Sequence, residues 1–156
     1  MAVNSRSKGQ RGERMVAEQL NVICQRVCLG LGYPIYKLTR NLVQSRNGGH
    51  DLVGLDWIAI EVKWYRESQH LEKWWAQTVR QGEQVNAEPV LIWKNNGTRW
   101  RVRMWGRLEL EPGRRLRVPV DISWESFCVW FEKRLDVELK KKSEAATLPV
   151  DAGLFD

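Results

Sequence analysis

Apolar residues recur at intervals of three and four early in the chain: Met15 or Val16, Leu20, Ile23, Cys24, Val27, Cys28 and Leu31. That spacing is the buried stripe of an amphipathic helix. The helix is expected from about Gln10, and Gly30, Gly32 and Pro34 end it. The pattern then breaks into short apolar runs separated by turn formers. Ile35 to Val43 reads as a first strand, and residues 44 to 49 as a loop. Asp51 to Leu55 and Trp57 to Trp64 read as second and third strands joined by a tight connection from Gly54 to Asp56. Helical spacing returns from His70 to Val85, where Leu71, Trp75, Thr78, Gly82 and Val85 share a face with Trp74 beside it. Pro89 to Lys94 is a fourth strand, Asn95 to Thr98 a turn, and Trp100 to Trp105 a fifth strand. Residues 106 to 120 look less regular, with turns expected at Pro112-Gly113 and Pro119. Ser123 caps a third helix to about Leu135, anchored by Phe127, Trp130 and Phe131. This order predicts a single α/β domain, a mixed sheet flanked by helices, over residues 10–136. Residues 1–9 read as a flexible basic arm and residues 137–156 as a disordered tail.

A chain of 156 residues with 43% hydrophobic content can build one core but not two ordinary ones. No window reaches the roughly 20 apolar residues of a membrane span, and the polar start lacks the apolar middle of a signal peptide. The expected place of action is the cytoplasm of a bacterial, archaeal or phage-infected cell. Three cysteines, an odd number, argue against a disulfide framework. Cys24 and Cys28 lie on the predicted apolar stripe and read as small core residues. A net charge of +6 favours a polyanionic partner. Arginine is dense from Arg99 to Arg117, and some of the nine tryptophans could stack on bases beside a basic groove.

Candidate chemistry lies between Gly48 and Lys63. Asp51, Glu61 and Lys63 are set in a run that otherwise reads as two buried strands. Burying an unpaired carboxylate is costly, so such groups need a partner, and a divalent cation turns their repulsion into coordination. Strand alternation puts Trp57, Ala59, Glu61 and Lys63 on one face, and Ile58, Ile60, Val62 and Trp64 on the other. Asp51 can converge from the adjoining strand. Glu13 lies on the inward stripe of the first helix, in its first turn, where the helix N-terminus would favour its ionised form; Glu18 is rotated away into solvent. Hard oxygen ligands of this kind suit Mg²⁺, with Mn²⁺ as substitute. Asp51, Glu61, the Val62 carbonyl and Glu13 are the candidate ligands. Lys63 would orient the attacking water or offset phosphate charge. Taken singly, each residue has a plainer reading: Asp51 a turn cap, Glu61 and Lys63 a solvated strand face, Glu13 an ordinary first-turn acid. Asp56 reads as a turn residue; His50 could touch phosphate, though a loop residue is its plainer reading. Gln77 and Gln81 could approach the site from the second helix, though a solvated face is their plainer reading. Arg101 and Arg103 share a face that is either DNA-contacting or simply solvated.

An aspartate, nine intervening residues and Glu-x-Lys form the pattern of the PD-(D/E)xK nucleases. The ordered set Lys8-Gly9-Gln10-Arg11-Gly12-Glu13-Arg14, Asp51-Leu52-Val53, Ile60-Glu61-Val62-Lys63, Pro89-Val90-Leu91-Ile92-Trp93-Lys94 and Trp100-Arg101 resembles the archaeal-type Holliday junction resolvases of that superfamily. The resemblance implies a restriction-endonuclease-like fold. It implies catalytic roles for Glu13, Asp51, Glu61 and Lys63, with Arg40 as the strand-end arginine that contributes to cleavage. It also implies a homodimer making paired symmetric nicks in four-way junctions, held through phosphates and shape. Lys8, Arg11, Arg40, Ser45, Arg46, Arg101 and Arg103 are the expected DNA contacts. The interval from Arg40 to Asp51 is longer than is usual in that family, and residues 106–156 fall outside the match. Two other readings stay open: a less selective repair, restriction or replication nuclease, and a DNA-binding protein without turnover. The apolar pair in Gly153-Leu154-Phe155-Asp156 is a candidate dock for a replication or repair protein.

Overall fold

The computed structural model describes residues 5–43, 49–67 and 70–147. Among the described residues three helices, α1 (Ser5–Leu31), α2 (Leu71–Val85) and α3 (Trp124–Thr147), accompany six strands. The strands are β1 (Thr39–Arg40), β2 (Leu52–Val53), β3 (Ile58–Tyr65), β4 (Glu88–Asn95), β5 (Arg101–Glu111) and β6 (Arg114–Ser123). They form one sheet whose spatial order follows the chain. Only β3 and β4 run parallel, from Ile58↔Glu88 to Tyr65↔Asn95, with α2 as the crossover. The other pairs are antiparallel. The architecture is the expected α/β mixed sheet flanked by helices.

One face of the sheet is covered by α1 and α3. Val16, Leu20, Cys24 and Cys28 of α1, and Phe127, Phe131, Leu135 and Leu139 of α3, recur at four-residue intervals and are buried. They pack on Ile58, Ile60, Val62, Val90, Ile92, Val102 and Met104. On the other face Trp74 and Trp75 of α2 close over Leu91, with Trp93 and Trp105 alongside. Val85, expected on that buried face, is exposed, because α2 ends there and the chain turns away. Among the described residues no helix is long and apolar enough to cross a membrane.

Several boundaries differ from the sequence reading for identifiable reasons. The first strand shrinks to Thr39–Arg40, because the preceding segment bonds to a side chain instead of a strand. Asn21 of α1 donates to the Leu38 carbonyl at 2.8 Å and accepts its N–H at 2.7 Å. β2 is equally short, since Gly54 bends away at φ +127°, where an added Cβ would lie 2.0 Å from the Lys37 carbonyl oxygen. Trp57 precedes β3 and packs on Trp130 and Phe131, on the face opposite Glu61. Residues 106–120 are not irregular: they complete a long β5–β6 hairpin, turning at Pro112-Gly113, with Pro119 paired opposite Trp105 instead of forming a turn. Residues 5–9, placed in the flexible arm, are helical. Residues 137–147, placed in the tail, continue α3, whose buried stripe runs on to Leu139. The 153–156 segment lies outside the described residues.

Leu139 supplies a prediction. Leu139→Ala should cost about 2–4 kcal/mol, as burial in a packed core implies. Denaturant titration reads it as a lowered urea midpoint.

Candidate active site

Glu61 lies in register with Leu91, which belongs to the α2-facing cluster, so Glu61 and Lys63 share that side of β3. Glu61 is 1% exposed. Lys63 Nζ donates to Glu61 Oε1 at 2.6 Å. Asp51 immediately precedes β2 and is stitched in by its backbone. Its N–H donates to the Ile60 carbonyl at 2.9 Å, and its own carbonyl accepts from Asn41 N–H at 2.8 Å. Its carboxylate Oδ2 accepts the Val62 N–H at 2.7 Å. The aspartate is thereby fixed against the Glu61-Val62-Lys63 segment. Glu13 arrives from α1, where its Oε2 accepts from Arg40 Nε at 2.6 Å. A cavity of about 550 Å³ opens beside these groups, lined by Arg6, Gln10, Glu13, Arg40, Asp51 and Lys63 among others.

The electrostatics are those of crowded acids. Burial, then the Asp51 charge, pushes the Glu61 carboxyl up to about 7, against the pull of Lys63. Burial also raises Glu13, opposed by the Arg40 hydrogen bond and reinforced by Asp51. Burial alone would lower Lys63, but the charge and hydrogen bond of Glu61 outweigh it and hold the ammonium above its usual range. Helix α1 begins at Ser5, so Glu13 sits well past its first turn and gains little from the helix N-terminus, contrary to the sequence expectation.

Among the described residues no three histidine, cysteine or acidic side chains close onto one point as a finished metal cluster. The donor set nevertheless fits a hard divalent cation. Glu61 Oε2 is buried and has no hydrogen-bond partner among the described residues, which is costly unless something positive meets it. The mutual repulsion of Glu61, Asp51 and Glu13 calls for the same positive charge.

The structure brings together Glu13, Arg40, Asp51, Glu61, Val62 and Lys63, as the sequence reading expected. Lys8 and Arg11 gather one step along, around Trp64, where Lys94 joins them. Lys94 Nζ lies 4.0 Å from the Trp64 ring centroid, Lys8 Nζ 5.4 Å and the Arg11 guanidinium 5.7 Å. Asn96 Oδ1 accepts from both Lys8 and the Trp64 indole. Burial and the charges of Arg11 and Lys8 push Lys94 below its usual value. Gly12 lets α1 approach, since a Cβ there would meet the Trp100 ring at 3.3 Å. Arg101 is exposed on β5. Arg103 departs from the expected DNA-facing role: its guanidinium is held by Asp121 at 2.6 Å and Glu72 at 2.7 Å, pinning β5 to β6 and α2. Ser45 and Arg46 lie outside the described residues. Sequence reasoning missed Asn41, whose side chain donates to the His50 carbonyl at 3.0 Å. Of the two readings open for Gln77 and Gln81, the plainer solvated face gives way to the approach to the site: Gln77 Nε2 reaches Glu61 Oε1 at 3.4 Å and Gln81 Nε2 the Gly49 carbonyl at 3.1 Å. The available signal was two uncharged amides one turn apart at the margin of the apolar stripe.

Residues 4–111 match the family model described as "Phage putative PDDEXK endonuclease". Protein D14 of Escherichia phage T5 is 32% identical over 120 residues, covering 67% of this chain and 72% of that protein. Among solved structures, Hjc of Archaeoglobus fulgidus, a Holliday junction resolvase, aligns over 78% of this chain and 95% of its own, with 18% identity and a TM-score of 0.45. The family match runs from the start of α1 to the end of β5 and so contains every residue of the candidate site: the chain belongs to the phage PD-(D/E)xK endonuclease family.

Proposed function

We propose that this chain is a Mg²⁺-dependent DNA endonuclease that resolves four-way junctions by paired nicks, acting as a homodimer. The observation that carries the nuclease reading is the buried Glu61 Oε2, unpartnered among the described residues, in a carboxylate paired with Lys63, which lines the cavity together with Asp51. A junction as the substrate is supported by the ordered sequence resemblance from Lys8 to Arg101.

Asp51 and Glu61, with the Val62 carbonyl, would hold Mg²⁺ or Mn²⁺, and Glu13 would complete the set from α1 once Arg40 turns to a phosphate. A divalent ion there supplies a water of lowered pKa and polarises the phosphate. Lys63 offsets charge accumulating on the scissile phosphate and is held in place by Glu61. Arg40 gives a second cation at the cavity wall. The Val62 N–H keeps the Asp51 carboxylate from rotating. Phosphates beyond the cut would lie on the Lys8, Arg11 and Lys94 cluster, about 10 Å along β3 from Glu61 at the usual strand rise. No carboxylate pairs with those three cations among the ion pairs of the described residues.

Incubation with a mobile four-way junction and with a matched linear duplex in Mg²⁺ tests the reading. Symmetric nicks confined to the junction are expected. Equal cutting of both substrates would assign a less selective nuclease, and binding without cleavage in either Mg²⁺ or Mn²⁺ a DNA-binding protein. Lys94→Ala should weaken junction binding at every sequence and reduce the slope of log affinity against log salt by about 1, the signature of one lost phosphate contact. Fluorescence anisotropy across a salt series measures it.

A further inference from the structure

The mechanism leaves two half-buried groups of α2 unused. Gln77 and Gln81 are one helical turn apart and project from the same edge of the helix. Beside them Trp74, Trp75, Thr78 and Gly82 are buried against the sheet. Gly82 sets the depth of this docking, since a Cβ there would lie 2.9 Å from the Ala87 carbonyl oxygen. The helix is thus seated firmly, and its two amides are delivered to defined places. Gln77 Nε2 meets Glu61 Oε1 at 3.4 Å, the same oxygen that Lys63 Nζ meets at 2.6 Å. Both donors therefore fall on one carboxylate oxygen, and the other, Oε2, is left bare and buried. Gln81 Nε2 donates to the Gly49 carbonyl at 3.1 Å, two residues before Asp51. Gly49, at φ +102°, turns the chain there. The following peptide is gripped by the Asn41 side chain, and Asp51 itself by the Asn41 N–H just past β1 and the Ile60 carbonyl of β3.

We infer that Gln77 and Gln81 are positioning residues: α2 orients both cation-binding carboxylates, Glu61 by direct hydrogen bond and Asp51 through the Gly49 carbonyl. The inference rests on the metal-dependent reading proposed above. The residue type is suited to the task. An amide donor fixes a carboxylate without neutralising it, whereas a second lysine would compete with the cation. Outer contacts of this kind are commonly worth 10–100-fold in metal affinity.

The test uses Gln77→Met and Gln81→Met, which keep length and volume but remove the donor, in the full chain. Isothermal titration with Mn²⁺ alone gives affinity, and melting in EDTA gives the fold. For each variant Mn²⁺ binding should weaken about tenfold, with the metal-free melting temperature within about 2 °C of the parent. In cleavage assays the loss should be recovered at high Mn²⁺, with the KM for junction DNA unchanged. Mn²⁺ affinities within twofold of the parent for both variants would overturn the inference while leaving the metal reading intact. A parent protein that binds no Mn²⁺ would overturn the metal reading and this inference with it. Should Gln77→Met melt early, Gln77→Leu and the Gln81 variant carry the same comparison.

Discussion

Asp51→Asn is expected to lower junction nicking by about 10³-fold or more while leaving the metal-free protein at least as stable as the parent. On the proposed reading, the loss follows from removing one of two principal anionic ligands and its share of charge stabilisation at the phosphate, effects that commonly amount to 10²–10³ each. The retained stability follows from the geometry. An asparagine oxygen can still accept the Val62 N–H, so the strand connection persists. What disappears is a negative charge that presses on buried Glu61, the second cause of its raised carboxyl after burial. Glu61 keeps Lys63 as its ion-pair partner. A group whose folded pKa is raised contributes stability below its unfolded value and loses it as pH climbs through the folded one. The parent should therefore lose metal-free stability from about pH 4.5 to 7, and Asp51→Asn should flatten that decline. Single-turnover nicking and melting curves in EDTA at pH 5.5 and 8 separate the two effects. A variant that nicks within tenfold of the parent would remove Asp51 from the machinery.

The second large effect lies far from the chemistry. Phe131→Ala should cost about 3–5 kcal/mol, as deletion of a fully buried ring does. Phe131 has no solvent exposure and packs on both Trp57 and Phe127. Trp57 stands just ahead of β3, so α3 braces the strand that carries Glu61 and Lys63. A drop of that size, in a domain whose whole stability is of order 5–15 kcal/mol, should shift the urea midpoint sharply. Nicking should fall in proportion to the folded fraction and recover at lower temperature. Loss of nicking in a fully folded variant would mean that α3 acts on the site in a way that packing does not explain.

The parts of this protein that were legible in the sequence are those where one local pattern had one physical meaning. The period of α1 placed Val16, Leu20, Cys24 and Cys28 inside and Glu18 outside. Period-two alternation put Glu61 and Lys63 on one side of β3, and a carboxylate within a buried strand pointed to chemistry. Charge by itself was ambiguous. Arg101 and Arg103 looked equivalent, yet Arg103 finds two carboxylates, one on β6 and one on α2, that no local pattern announces. Strand length failed where a tertiary bond replaced a ladder, as Asn21 does at Leu38. The hairpin was obscured by Gly106 and Pro119, two residues that usually interrupt strands. Here Gly106 makes room for Val120, where a Cβ would lie 2.7 Å from a methyl, and Pro119 occupies the outermost strand. Asn41 was missed, and Gln77 and Gln81 were ranked as solvated, for a common reason: an amide that positions a carboxylate has the same sequence signature as one that faces water.

An anomalous difference map from a crystal soaked in Mn²⁺ tests the central claim most directly. One peak within coordination distance of Asp51 and of Glu61 Oε2, about 2.2 Å from each oxygen, is the expected result. Side chains left as they stand, Lys63 still closing on Glu61 and no manganese between the two carboxylates, would contradict it.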